Sequence, residues 1–181
     1  MRTSKIWFLA ACLTPAVVLS AAANAADAMR TKTVGHYRVE LHVLPAEPFF
    51  SKEDVAAKHV KEGMEIEGGA APVMLDAASH PNHHLIVHVF DKKTGKVLTD
   101  ATVTMKFASL NSKGSPAGAP VDVPVVVMQA IGKGPSSTHY GNNVTMRAGR
   151  YQVTVTVNGK TTVFRVSASD APSEPTGGMK M

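Results

Sequence analysis

Between residues 35 and 168 apolar and polar side chains alternate in short runs broken by turn residues, the pattern of half-buried strands. Gly35–Leu44 places Tyr37, Val39, Leu41 and Val43 on one face and His36, Arg38, Glu40 and His42 on the other. Pro45 and Pro48 end that run. Ser51-x-x-Asp54 then opens a short helix predicted around Lys52–Glu62, with Gly63 closing it. A Gly/Ala-rich passage containing the apolar run Pro72–Leu75 leads to His84–Asp91. There Leu85, Val87 and Val89 form the core face, while His84, Ile86, His88 and Phe90 face away. Lys92–Lys96 is a turn, and Val97–Phe107 returns with Ala101, Val103, Met105 and Phe107 inward. Beyond the Gly/Pro/Ser loop Asn111–Pro120, Val121–Met128 reads as one strand whose odd-numbered valines take the core. Met128 therefore points outward with Asp122. A loop at Ile131–Thr138 precedes a short strand at Asn142–Met146. Tyr151–Val157 is the most regular strand, Asn158-Gly159 supplies the positive φ of a tight hairpin, and Lys160–Ala168 closes the domain.

Short alternating strands with a single helix predict an all-β fold. The expected architecture is an immunoglobulin-like antiparallel β-sandwich over residues 35–168, with one short helix in an early connection. The Gly149-Arg150-Tyr151 entry into the penultimate strand resembles the tyrosine corner of such sandwiches. Residues 1–25 read as an export signal: Arg2 and Lys5 form a basic start, Ile6–Leu19 is apolar, and Ala23-Asn24-Ala25 offers a small-residue cleavage site. Leu9-Ala10-Ala11-Cys12 also resembles a lipoprotein cleavage box. Residues 26–34 form a polar lead, and the Pro/Gly-rich stretch 169–181 is expected to be an unstructured tail. The expected location is periplasmic.

Removal of the signal leaves 156 of the 181 residues, enough for one domain with a real core. It also lowers the net charge from +5 to +3, too small for polyanion binding, and with 6% aromatics nucleic acid is excluded as a partner. The one cysteine, Cys12, lies in the signal. Disulfides, thiolate zinc sites, blue-copper sites and cysteine nucleophiles are excluded together. No G-x-S-x-G elbow or H-E-x-x-H pair occurs, so the expected function is not enzymatic. Asn143-Val144-Thr145 matches a glycosylation triplet.

The remaining chemistry is imidazole and thioether. All eight histidines follow the signal: His36, His42, His59, His80, His83, His84, His88 and His139. Imidazole suits copper, zinc, iron and nickel, and thioether selects soft Cu(I). Strand parity turns His84, His88 and Met128 away from the core, whereas Met105 and Met146 fall in register with apolar neighbours. His42 and Glu40 share an outward face and either chelate or are solvated. A regular strand separates His84 from His88 by about 13 Å, so the spacing favours one histidine from that strand with partners from others. The alternative reading is a metal-free interaction module, in which His84, Ile86, His88 and Phe90 form an apolar-aromatic patch for a partner.

Met128-Gln129-Ala130, Gly134-Pro135 and His139-Tyr140-Gly141-Asn142-Asn143-Val144-Thr145-Met146, followed by Gly149-Arg150-Tyr151, resemble a block of the periplasmic iron-transport accessory family. Those small exported immunoglobulin-like proteins bind copper and assist ferrous-iron uptake beside an inner-membrane permease. Leu41-His42-Val43-Leu44-Pro45 and His84-Leu85 resemble the family's early and histidine-bearing strands. The resemblance implies Met128, His139 and His84 as copper ligands, with iron as a second candidate ion and an inner-membrane metal permease as partner; the sequence leaves a homodimer open. The chain departs from the family where Ile86 stands in place of an acidic residue, where no histidine follows Phe164, and in a longer loop between Met128 and His139. A fourth ligand would come from His88, His83, His42 or water. The structural alternative for His139-Tyr140-Gly141 is a turn whose glycine supplies positive φ. Val87–Phe107 is also similar to the YtkA-like domains of exported bacterial proteins.

Overall fold

The structure, a computed structural model, describes residues 30–67 and 80–169. The predicted signal, the Pro72–Leu75 run and all of the predicted tail except Ser169 lie outside the described residues. The described chain runs β1 (Arg30–Val34), β2 (Tyr37–Pro45), β3 (Phe49–Phe50), α1 (Lys52–Lys58), β4 (Met64–Ile66), β5 (His83–Asp91), β6 (Val103–Ser109), β7 (Val121–Val123), β8 (Val126–Ala130), β9 (His139–Val144), β10 (Gly149–Val157) and β11 (Lys160–Ala168). One sheet has the order β1-β2-β5-β9-β8-β4-β3 and the other β11-β10-β6-β7. All pairings are antiparallel except the short parallel contact of β3 with β4. The expected all-β sandwich with one short helix is the observed fold.

The main core fills the space between the sheets. Val39, Leu41, Leu85, Val87 and Val89 from the large sheet meet Met105, Val153, Val155, Val157 and Phe164 from the small one, all nearly inaccessible to water. Tyr140 joins them fully buried, and its hydroxyl donates to Leu98 O at 2.8 Å and accepts from Ala101 N at 2.9 Å, so no polar atom is stranded. The tyrosine corner is present: the Tyr151 hydroxyl donates to Arg147 O, four residues upstream, at 2.8 Å. Met105 and Met146 are core residues, and Asn158 and Gly159 adopt φ of 46° and 76° in the β10–β11 turn.

The large sheet does not stay flat. Only residues 46–48 separate β2 from β3, yet four strands lie between these two in the hydrogen-bonded order. A flat sheet would need about 24 Å for those five steps, whereas the linker reaches about 14 Å. The β4–β3 edge therefore curls back over the outer face of its own sheet. The backbone bonds Ala46 N to Asn82 O and Glu67 N to Val127 O fasten the two ends of the curl. Inside it sits a second, smaller core of Ile66, Ile86 and Met128, with Leu44, Phe49, Met64 and Val126 against it.

Several expected boundaries are corrected. Residues 30–34 of the polar lead form β1, an exposed edge strand held by its ladder to β2 rather than by apolar burial. The helix ends at Lys58, not Glu62, because His59 takes the left-handed conformation (φ 50°) that caps it. Val97 makes only an isolated bridge to Phe90, and the strand that follows starts at Val103 in the other sheet. Val121–Met128 is two strands: at Pro124, which has no amide hydrogen to donate, the chain leaves the small sheet and enters the large one. Val121, at the end of the three-residue edge strand β7, is 46% exposed rather than in the core. The strand expected at Asn142–Met146 begins earlier, at His139.

Candidate metal centre

The curl encloses a row of histidines. On β5, His84, Ile86 and His88 share the outward parity that the alternation predicts, and β2 adds His42, opposite Ile86. On β9 the same face carries His139, Gly141 and Asn143, and β8 adds Val126 and Met128. Met128 lies directly across from His139 in the ladder, and Ile66 of β4 lies across from Met128. Directly opposed residues have Cβ atoms about 5 Å apart. Met128 and His84 are fully buried, and His139 is 2% exposed.

The rings form a chain of contacts. His42 meets His88 with centroids 5.4 Å apart, His88 meets His139 at 5.4 Å, and His139 meets His84 at 5.7 Å. Phe49, on the curled edge, closes the far end against His84 at 5.5 Å. His84 and His88 thus both reach His139, although their strand spacing keeps them apart from each other. Gly141 lies between His84 and His139 on this face. Its backbone approaches β5 so closely that a Cβ would stand 2.1 Å from Leu85 O and 2.8 Å from Ile86 Cα. The glycine serves close strand approach, not a positive-φ turn.

Each ring of the central trio is oriented through Nδ1. His84 Nδ1 donates to Asn143 Oδ1 at 2.9 Å, His88 Nδ1 to Thr138 O at 3.1 Å, and His139 Nδ1 to Ser137 O at 2.8 Å. Asn143 presents oxygen to His84 because its Nδ2 donates to Glu47 O at 2.7 Å. With the proton on Nδ1, the lone pair is on Nε2. The Nε2 atoms of His84 and His139 are buried without a hydrogen-bond partner. Burial is the largest cause of the depressed pKa of all three rings. His84 and His88 are lowered to about 4, with the charge of His139 as the next contribution. At neutral pH the trio is uncharged and able to donate to a cation.

The donor set fits a soft or borderline metal ion. Orientation of a ligating imidazole by a carbonyl on its other nitrogen is the usual outer-shell arrangement of such sites. A metal about 2 Å from an imidazole nitrogen lies about 3 Å from the ring centroid, so two rings on one ion have centroids about 4.5–6 Å apart. The observed 5.4 and 5.7 Å separations fall in that range. Among the described residues no three His, Cys, Asp or Glu side chains already converge on one point. A metal bound here would need the thioether of Met128 or rotation of a ring as well.

The structure gathers Met128, His139, His84, His88 and His42 on one face. It does not gather His83, which has the opposite parity and bonds Asn82 Oδ1 through Nδ1 at 2.8 Å. Glu40 is ion-paired to Arg38, which lies over Phe90 with its guanidinium carbon 3.8 Å from the ring centroid. Phe49 and Asn143 escaped sequence reasoning. Asn143 was within reach of the parity argument, four positions beyond His139 on one strand. Phe49 was not, because two strand residues between prolines and a helix carry no period. The glycosylation triplet is structural: Asn143 is 8% exposed, with its amide engaged by Glu47 and His84. No protein-family model matches the chain, and no curated protein matches it at a significant level.

Proposed function

We propose that this chain is an exported, non-enzymatic copper-binding protein of the periplasm that buffers the ion or delivers it to a membrane transporter. One observation carries the reading: two buried imidazoles, each with Nδ1–H committed to a carbonyl oxygen and Nε2 without a partner, beside a thioether in an apolar enclosure. A buried polar atom left unpaired costs about 1–3 kcal/mol, and a bound cation removes that cost. His84, His139 and Met128 hold the ion in this reading, with His88 next in the chain of rings. The thioether favours copper, Cu(I) in particular, over zinc or ferrous iron. Export rests on the basic-apolar-small pattern of residues 1–25. The likeness to the periplasmic iron-transport accessory family supports delivery to an inner-membrane permease.

A metal-free docking role for His84, Ile86, His88 and Phe90 has less support, since the curl leaves His84 fully buried and Ile86 only 3% exposed. Calorimetric titration of the tag-free mature protein with copper tests the proposal. One ion per chain is expected, with binding lost when Met128→Ala and His139→Ala are combined. Unchanged affinity in that double variant would reject the site.

A further inference from the structure

Asn143 does two things at once. Its Oδ1 accepts from His84 Nδ1 at 2.9 Å and from Glu47 N at 3.2 Å, and its Nδ2 donates to Glu47 O at 2.7 Å. Glu47 opens the curled excursion that carries β3, α1 and β4, and two residues later Phe49 lies on the ring of His84. The excursion is held through short elements: β3 pairs over two residues and β4 over three, α1 buries no residue, and Phe49, Met64 and Ile66 pack in the small core. One amide therefore joins a candidate ligand to the segment that covers it. We infer that Asn143 is a positioning residue that fixes His84 for metal binding and couples occupancy of the site to the order of residues 47–66. The inference rests on the metal-binding reading and adds that a bound ion is reported on the surface by the excursion, whose helix α1 buries no residue.

The two halves of the amide separate by substitution. Asn143→Asp keeps the acceptor for His84 and loses the donor to Glu47 O. Asn143→Leu loses both. Copper affinity is measured by competition with a chromophoric chelator, and amide hydrogen exchange over residues 47–66 is followed with and without copper. In the unaltered protein copper slows exchange across the excursion. Asn143→Leu weakens copper about 10–100-fold, the usual effect of removing a partner behind a ligand, and abolishes the protection gain. Asn143→Asp, which keeps an acceptor for His84, binds copper more tightly than Asn143→Leu but also loses the gain, and it decides the matter if the leucine variant does not fold. Undiminished copper affinity in a folded Asn143→Leu, a protection gain retained in Asn143→Asp, or a bound ion that leaves exchange in the unaltered protein unchanged would each overturn the inference while leaving the metal site standing. An unaltered chain that takes up no copper would overturn both.

Discussion

The two faces of the large sheet solve burial in opposite ways. The inner face meets a complete second sheet, and its Val, Leu and Tyr side chains leave no polar atom unpaired. The outer face meets only its own curled edge, and it buries His84, His139 and Asn143 among Ile86, Met128 and Phe49. An apolar side chain at 84 or 139 would suit that enclosure better by transfer energy alone. Imidazoles kept there, with one nitrogen satisfied and the other not, mark the face whose composition serves something besides folding.

The contrast can be broken outright at the strand crossing both faces share. Gly141→Ala is expected to destabilise by more than about 4 kcal/mol, because backbone on both sides must shift; a near-normal urea midpoint would contradict the close approach. Leu41→Ala, in the inner core, should cost about 2–5 kcal/mol while leaving copper affinity of the folded fraction unchanged. A parallel loss of affinity would show that the two faces are not independent.

Acid sharpens the comparison further. The folded pKa of His84, about 4, lies below its ordinary value of 6.5, so its contribution to stability is complete above pH 6.5 and is lost as pH falls towards 4. The loss from this ring is about 3 kcal/mol. His84→Leu should therefore flatten the stability–pH curve of the metal-free protein between those limits, as read from denaturant midpoints. A curve of unchanged slope would place the titration elsewhere. The smallest expected change in stability is Met128→Leu, below about 1.5 kcal/mol because volume and burial are kept. Copper affinity should nonetheless fall, since only the sulfur is lost. Equal affinity would make Met128 plain core.

How far this was legible follows from element length. Tyr151–Val157 and Lys160–Ala168 alternate over enough residues to declare themselves, and Asn158-Gly159 names the turn between them. Parity alone turned Met128 and His84 outward, and the structure puts both there. Arg30–Val34 has no alternation to read, because an exposed edge strand is specified by the backbone of its neighbour. The curl was invisible for a related reason. β3 and β4 have two and three residues, fewer than one period comparison needs. The continuous valine pattern through Pro124 hid the change of sheet, since both sheets accept the same alternation.

That change of sheet has a mechanical consequence. β7 and β8 belong to different layers yet are joined by two residues, Pro124 and Val125. Most of a sandwich resists shear through side-chain contacts, which slip gradually under load. Here a covalent clasp ties the layers, so a force drawing them apart runs along the main chain into β8.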